Sequence, residues 1–112
     1  MSRPAPTGTL DDMWAQLIEM RLKPGEDTAE IAKQFRAAEQ PGSGLVQSLM
    51  MHDQADPNRV FTLVVFESEE KARAREQDPR REEALAPARA LMADIIDGAP
   101  AFTDLLVDEN WT

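Results

Sequence analysis

Trp14, Gln16 and Ile18 stand at alternate positions of one apolar stretch, a spacing that puts an indole, an amide and an aliphatic side chain on one face of an extended strand. Small-molecule pockets are built from such mixtures, a few polar groups among apolar and aromatic walls. Gln16 can hydrogen-bond a substrate carbonyl or hydroxyl while Trp14 forms an aromatic wall; alternatively Trp14 only closes the core. Phe66, at the end of another apolar run, reads as core with one edge on the same cavity. Arg75 carries a planar donor fork suited to an anionic or phenolate oxygen. It also belongs to a run in which Lys71, Arg73, Arg75, Arg80 and Arg81 are interspersed with glutamates, the pattern of a solvated helical face.

His52 is the one histidine, followed by Asp53 and Asp56, so a general base or a metal ligand can be drawn from it. A single histidine with loop carboxylates makes a poor closed metal site, and a polar strand end with a turn accounts for the same residues. No metal site is expected. The sequence contains no phosphate-binding glycine loop, nucleotide fingerprint, Ser-His-Asp pattern or multiple-histidine spacing. With no cysteine, it has no disulfide framework, thiol nucleophile or thiolate metal site. Against 21 Asp and Glu stand 12 Lys and Arg, and the formal charge of −9 repels nucleic acid and anionic membrane surfaces. Neither nucleic acid nor membrane is an expected partner. No apolar run has the length of a membrane span or a signal-peptide core, so a cytoplasmic location is expected.

The elements that must position these side chains follow from periodicity and punctuation. At 112 residues the chain is read as a flexible arm over residues 1–11, rich in Pro and Gly, and one domain over residues 12–112. Alternation from Met13 to Lys23 predicts a first strand, ended by Pro24-Gly25. Asp27 and Glu30 have capping-box spacing, and Ile31, Phe35 and Ala38 supply the stripe of a helix that closes near Gln40. A second strand is expected from Gly44 to His52. It turns through Asp53 to Asn58 into the Val60 to Phe66 run, which is apolar enough to be buried on both faces. Ser68 caps a short helix, Asp78-Pro79 stops it and starts another, and Pro87 is expected to kink that one before Gly98 ends it. Ala101 to Val107 reads as a fourth strand.

The order β-α-β-β-α-β predicts a ferredoxin-like α+β fold, a four-stranded antiparallel sheet with the helices on one face. Because the second and third strands carry apolar residues on both faces, a second copy is expected to cover the open face as a homodimer.

Three segments carry a resemblance: Arg21 to Gly25 closing the first strand, Pro41 to Gly44 before the second, and Val65 to Glu70, reading Val-Phe-Glu-Ser-Glu-Glu. Through them, from about Met13 to about Trp111, the chain resembles the antibiotic-biosynthesis-monooxygenase-like (ABM) family of dimeric α+β barrels. The resemblance implies cofactor-independent oxygenation of an electron-rich aromatic or quinol-type molecule, in a pocket lined by Trp14, Gln16, Ile18, Phe66 and Arg75. No cofactor is implied. The alternatives are a non-catalytic or stress-associated barrel that binds a small apolar or aromatic ligand in the same place, and a purely structural dimer with a filled core. Heme-degrading relatives place an Asn, a Trp and an axial His where this chain has Ile18, Arg75 and Leu85, none of which can do the corresponding work. The resemblance therefore does not extend to heme degradation.

Overall fold

The alternation that begins at Trp14 becomes a central strand, β1 (Trp14–Arg21), whose even-numbered side chains face the helices. The structure, a computed structural model, describes residues 12–111, so the expected N-terminal arm lies outside the described residues. After β1 come α1 (Ala29–Ala38), β2 (Leu45–His52), β3 (Arg59–Phe66), α2 (Glu69–Glu76), α3 (Pro79–Ile95) and β4 (Ala101–Leu106). The four strands form one antiparallel sheet in the order β2-β3-β1-β4, the ferredoxin-like arrangement with three helices in place of two.

Register fixes which side chains meet. Across the sheet in that order, the helix-side rows are Leu45, Phe66, Trp14, Leu106; then Ser48, Val64, Gln16, Asp104; then Met50, Thr62, Ile18, Phe102. Met20, Leu22 and Val60 continue the face and pack against Ile31 of α1 and Ile95 of α3. Trp14, Val64 and Phe66 pack under Ala72 of α2. Removing these side chains from water is the main term holding helices to sheet, at about 1.5–3 kcal/mol for each large one fully buried.

Several local expectations are corrected. β3 is not dry on both faces within this chain: Val60, Thr62, Val64 and Phe66 are buried, whereas Phe61, Leu63 and Val65 are half-buried because no helix covers their side. The uneven pattern of β2 comes from a bulge between Leu45 and Gln47, where Val46 is the extra residue and is half-exposed. The capping box does not form. Thr28 is the N-cap, and the Asp27 carboxylate accepts from the Ala29 backbone N–H at 3.0 Å, an Asx turn one residue earlier. Ile96 has left α3 and bridges to Leu22, so it extends the sheet edge and not the helical stripe. Ser68 and Asp78 cap α2 and α3 as expected, accepting from Lys71 and Arg80 backbone N–H groups.

Candidate functional site

Gln16 lies beneath the helices on β1, directly opposite Asp104 of β4. Its Nε2 donates to Asp104 Oδ1 at 3.0 Å, and Arg73 of α2 donates from Nη2 to Asp104 Oδ2 at 3.0 Å. Arg73 also reaches Glu69 at 3.2 Å and Glu76 at 3.3 Å, so its guanidinium is held by three carboxylates. The same guanidinium sits 4.9 Å from the centre of the Trp14 ring, a cation–π contact. These groups tie α2, β1 and β4 together at one spot. The Gln16 hydrogen bond, with the Arg73 hydrogen bond and charge, outweighs the opposing effect of desolvation and holds the Asp104 carboxyl below its ordinary range. Asp104 is therefore an ionised acceptor. Because a carboxylate can only accept, its contact fixes the Gln16 amide orientation and leaves Gln16 Oε1 available to accept from another group.

Ile18, the next helix-side residue of β1, lies between Thr62 and Phe102. Thr62 is buried and its hydroxyl has no hydrogen-bond partner, while Phe102 is 59% exposed. A buried orphan hydroxyl costs about 1–3 kcal/mol. Every residue of β4 is exposed. The helix-side face is therefore open along β4, and Gln16 and Ile18, both half-buried, border the open part.

The five side chains singled out from sequence divide into two groups. Trp14 and Phe66 are cross-strand neighbours with ring centroids 6.1 Å apart, both almost fully buried. Each is covered by a guanidinium from α2, Arg73 over Trp14 and Arg75 over Phe66 at 5.1 Å. Arg75 is turned away from β4. It donates to Glu39, at the end of α1, through Nε at 3.1 and 3.2 Å and through Nη2 at 2.7 Å, with only 15% of its side chain exposed. Burial raises the Glu39 carboxyl, but hydrogen bonds from Arg75 and Ser43 and the charges of Arg75 and Arg81 outweigh it, and the net pKa is lowered. Arg75 also borders a cleft of about 120 Å³ with Gly42, Ser43, Lys71 and Arg80. Of the five, only Gln16 and Ile18 are half-buried and face β4. His52 is exposed at the far end of β2, opposite Val60, two strands from Gln16. Among the described residues no group of three or more His, Cys, Asp or Glu could hold a metal ion, and no helix is long and apolar enough to cross a membrane.

Asp104, Arg73, Thr62 and Phe102 were not legible as site residues. Their signal is the β1–β4 and β1–β3 register, which local sequence does not contain.

No family profile matches the sequence, and no curated protein matches it. Solved structures do. A candidate antibiotic biosynthesis monooxygenase from Chloroflexus aurantiacus J-10-fl superposes with a TM-score of 0.68 at 20% identity, covering 89% of this chain and 97% of that one. SnoaB, a cofactor-independent oxygenase from Streptomyces nogalater, gives 0.65 at 12% identity over 88% of this chain and 96% of its own. A protein of unknown function from Nitrosomonas europaea gives 0.70 at 15% identity over 93% and 97%. At these identities the likeness is one of architecture. The chain has the α+β fold of the antibiotic biosynthesis monooxygenases.

Proposed function

We propose that residues 12–112 act as a single domain and as one subunit of a cytoplasmic homodimer that oxygenates an electron-rich aromatic or quinol-type small molecule without a bound cofactor. The observation that carries this reading is the Gln16–Asp104–Arg73 chain of hydrogen bonds, set beside an orphan Thr62 hydroxyl on the helix-side face of a fold shared with a cofactor-independent oxygenase. Such chemistry asks little of a protein: position a hydroxylated ring, accept its proton, and leave the ring to react with oxygen. Gln16 Oε1 and Asp104 accept from the substrate hydroxyl. If Asp104 takes that proton, the carboxylate is neutralised as the phenolate forms, so the site's net charge does not change. The phenolate gives one electron to O₂, the ring radical and superoxide join in a C–O bond, and the ring carbon loses its proton. The O–O bond then breaks, leaving a quinone and releasing the second oxygen atom as water.

Measuring oxygen uptake with dihydroxynaphthalenes, after subtraction of the buffer rate, tests this. Uptake above buffer that falls at least about tenfold in Asp104→Ala supports the reading, since one positioned proton acceptor commonly contributes 10²–10⁴-fold. Uptake equal to buffer overturns it. The second reading, a barrel that binds aromatics without transforming them, is favoured by the engagement of Arg75 with Glu39, which takes the one expected oxyanion clamp away from Gln16 and Ile18. Ligand binding without oxygen uptake would select it.

A further inference from the structure

We propose that the cleft between the Pro41–Ser43 turn, α2 and the start of α3 binds a tetrahedral oxyanion, either free phosphate or the phosphate head of a larger molecule. It lies on the Arg75 side of α2, apart from the Gln16–Asp104–Arg73 chain, and does not depend on the oxygenation reading.

The lining comes from three segments: Gly42 and Ser43 from the turn before β2, Lys71 and Arg75 from α2, and Asp78 and Arg80 from the α2–α3 junction. Lys71 and Arg75 stand four residues apart, so one face of α2 presents both charges. Each lining cation is held by a carboxylate: Lys71 meets Glu67 at 2.6 Å, Arg75 meets Glu39 at 2.7 Å and Arg80 meets Asp78 at 2.8 Å. Those contacts fix the cations in place without exhausting them. Lys71 gives one of its ammonium N–H bonds to Glu67, and Arg75 and Arg80 each spend Nε–H and one Nη2–H, so every one of the three keeps unspent donors. The Gly42 backbone N–H has no acceptor among the described residues. The Ser43 hydroxyl, by contrast, is committed to the Leu45 N–H and to Glu39.

Charge points the same way. Arg81, half-buried beside this cluster, makes no ion pair among the described residues, and burial together with the Arg75 charge lowers its pKa. Its acidic neighbours are Glu39, which Arg75 already holds, and Glu82, which pairs with Arg89 at 2.6 Å. Lys71, Arg75, Arg80 and Arg81 thus face Glu39, Glu67 and Asp78 with one positive charge to spare, on a chain whose total is −9. A bound anion neutralises that surplus. Forked guanidinium groups and an ammonium are the side chains that recognise phosphate, the first by planar geometry and the second as a point charge. Volume limits the ligand: about 120 Å³ lies well below the roughly 300–1,000 Å³ of clefts that bury drug-sized molecules, and suits a small polyatomic anion. Donors arriving from three segments match oxygens that point in several directions, whereas a planar carboxylate would leave some of them unmet.

The test is an NMR titration of the full, isotope-labelled chain at pH 7 with inorganic phosphate, methyl phosphate and acetate, sodium chloride holding the ionic strength constant. The Gly42 amide and the arginine Nε resonances are followed. Saturating shifts with a dissociation constant of about 1–10 mM for phosphate are expected, with acetate at least about fivefold weaker. Saturation by inorganic phosphate alone identifies the free ion as the ligand, and saturation by methyl phosphate as well identifies an esterified head group. Arg80→Gln removes a lining cation whose side chain is 62% exposed, so the chain still folds, and it should weaken phosphate at least about fivefold. Arg89→Gln removes the same charge about 13 Å further along α3 and should weaken it less than about twofold. Shifts that fail to saturate or that chloride reproduces, acetate binding as tight as phosphate, unchanged binding in Arg80→Gln, or equal weakening by the two variants overturns the proposal.

Discussion

Arg73 and Arg75 are two residues apart on α2 and have the same chemistry, yet they do different work because of what the fold brings to each. Arg75 meets Glu39, from 36 residues away, in a largely buried fork and covers Phe66, so it fastens α2 to the end of α1. Arg73 meets Asp104 and covers Trp14 at the open edge. From sequence both looked like members of a solvated run, and that description fits their neighbours Arg80 and Glu70. The Glu39 pair carries a pH prediction. Its folded-state pKa is depressed, so its contribution to stability is fully present above the unfolded glutamate value and is lost as pH falls through the lower folded value. Glu39→Gln should therefore destabilise the protein by about 1–3 kcal/mol at neutral pH, the usual cost of breaking a mostly buried charge-assisted pair. The deficit should shrink steadily as pH is lowered below about 4.5. Urea unfolding of both proteins from pH 7 to pH 3 checks this. A deficit that is the same across that range would mean the pair is not what the carboxylate contributes.

Elements were legible where composition and punctuation agree. Ser68 after Phe66, Asp78 before Pro79, and Pro-Gly at the ends of β1 and α1 are each local signals, and each element stops within a few residues of where they place it. What local signals could not carry is partnership: the β2 bulge, the departure of Ile96 from α3 toward Leu22, and the meeting of Gln16 with Asp104, 88 residues on, all depend on register with another strand. Gly44 is similarly placed by a neighbour. It has φ +83°, and a Cβ there would come within 2.7 Å of the Lys71 side chain, so the entry to β2 passes too close to α2 for any larger residue. The helix α3 shows an element changing partners along its length. Leu85 and Ala88 pack with Ala38 of α1, whereas Leu91, Met92 and Ile95 join Met20 and Leu22 of β1 and its extension. Pro87 lies exposed between the two halves, and α3 runs through it as one helix. Because proline there removes a backbone donor without adding a buried contact, Pro87→Ala should stabilise the chain by about 1–3 kcal/mol. A higher urea midpoint with an unchanged slope is the expected outcome. A lower midpoint would show that a bend at Pro87 is needed to seat both halves of the helix.

On the scale of the whole molecule, the sheet has one face under helices and one without any. The uncovered face carries Leu49, Leu63 and Leu17 side by side across β2, β3 and β1, with Val65, Ala15 and Leu105 in the next row. Leu49, Met51 and Leu105 are each more than a third exposed. A contiguous apolar patch of this kind on a small chain marks an interface. At one end of it Arg59 covers Phe61 at 4.7 Å and faces Glu19 and Asp53, while Arg21 pairs with Asp56. Those charges are already matched within the subunit, so they form a rim and offer little to hold a second copy. Association by sheet-to-sheet packing would then be driven by apolar burial and opposed by the repulsion of two chains of charge −9. The two terms have opposite salt dependence from an interface built on ion pairs. Sedimentation velocity should give twice the chain mass, with a dissociation constant that tightens as salt rises from about 20 mM to about 500 mM, because screening removes the repulsion and leaves the burial. Leu49→Glu changes a side chain that is 41% exposed within the subunit, so the fold tolerates it, yet it sets a charge into the packed face. An unpaired buried charge costs several kcal/mol, enough to dissociate the pair at micromolar concentration. A Leu49→Glu protein that remains dimeric, or a wild-type dimer that loosens with salt, would place the contact elsewhere, and the exposed edge of β4 with Phe102 and Leu106 is then the next surface to mutate.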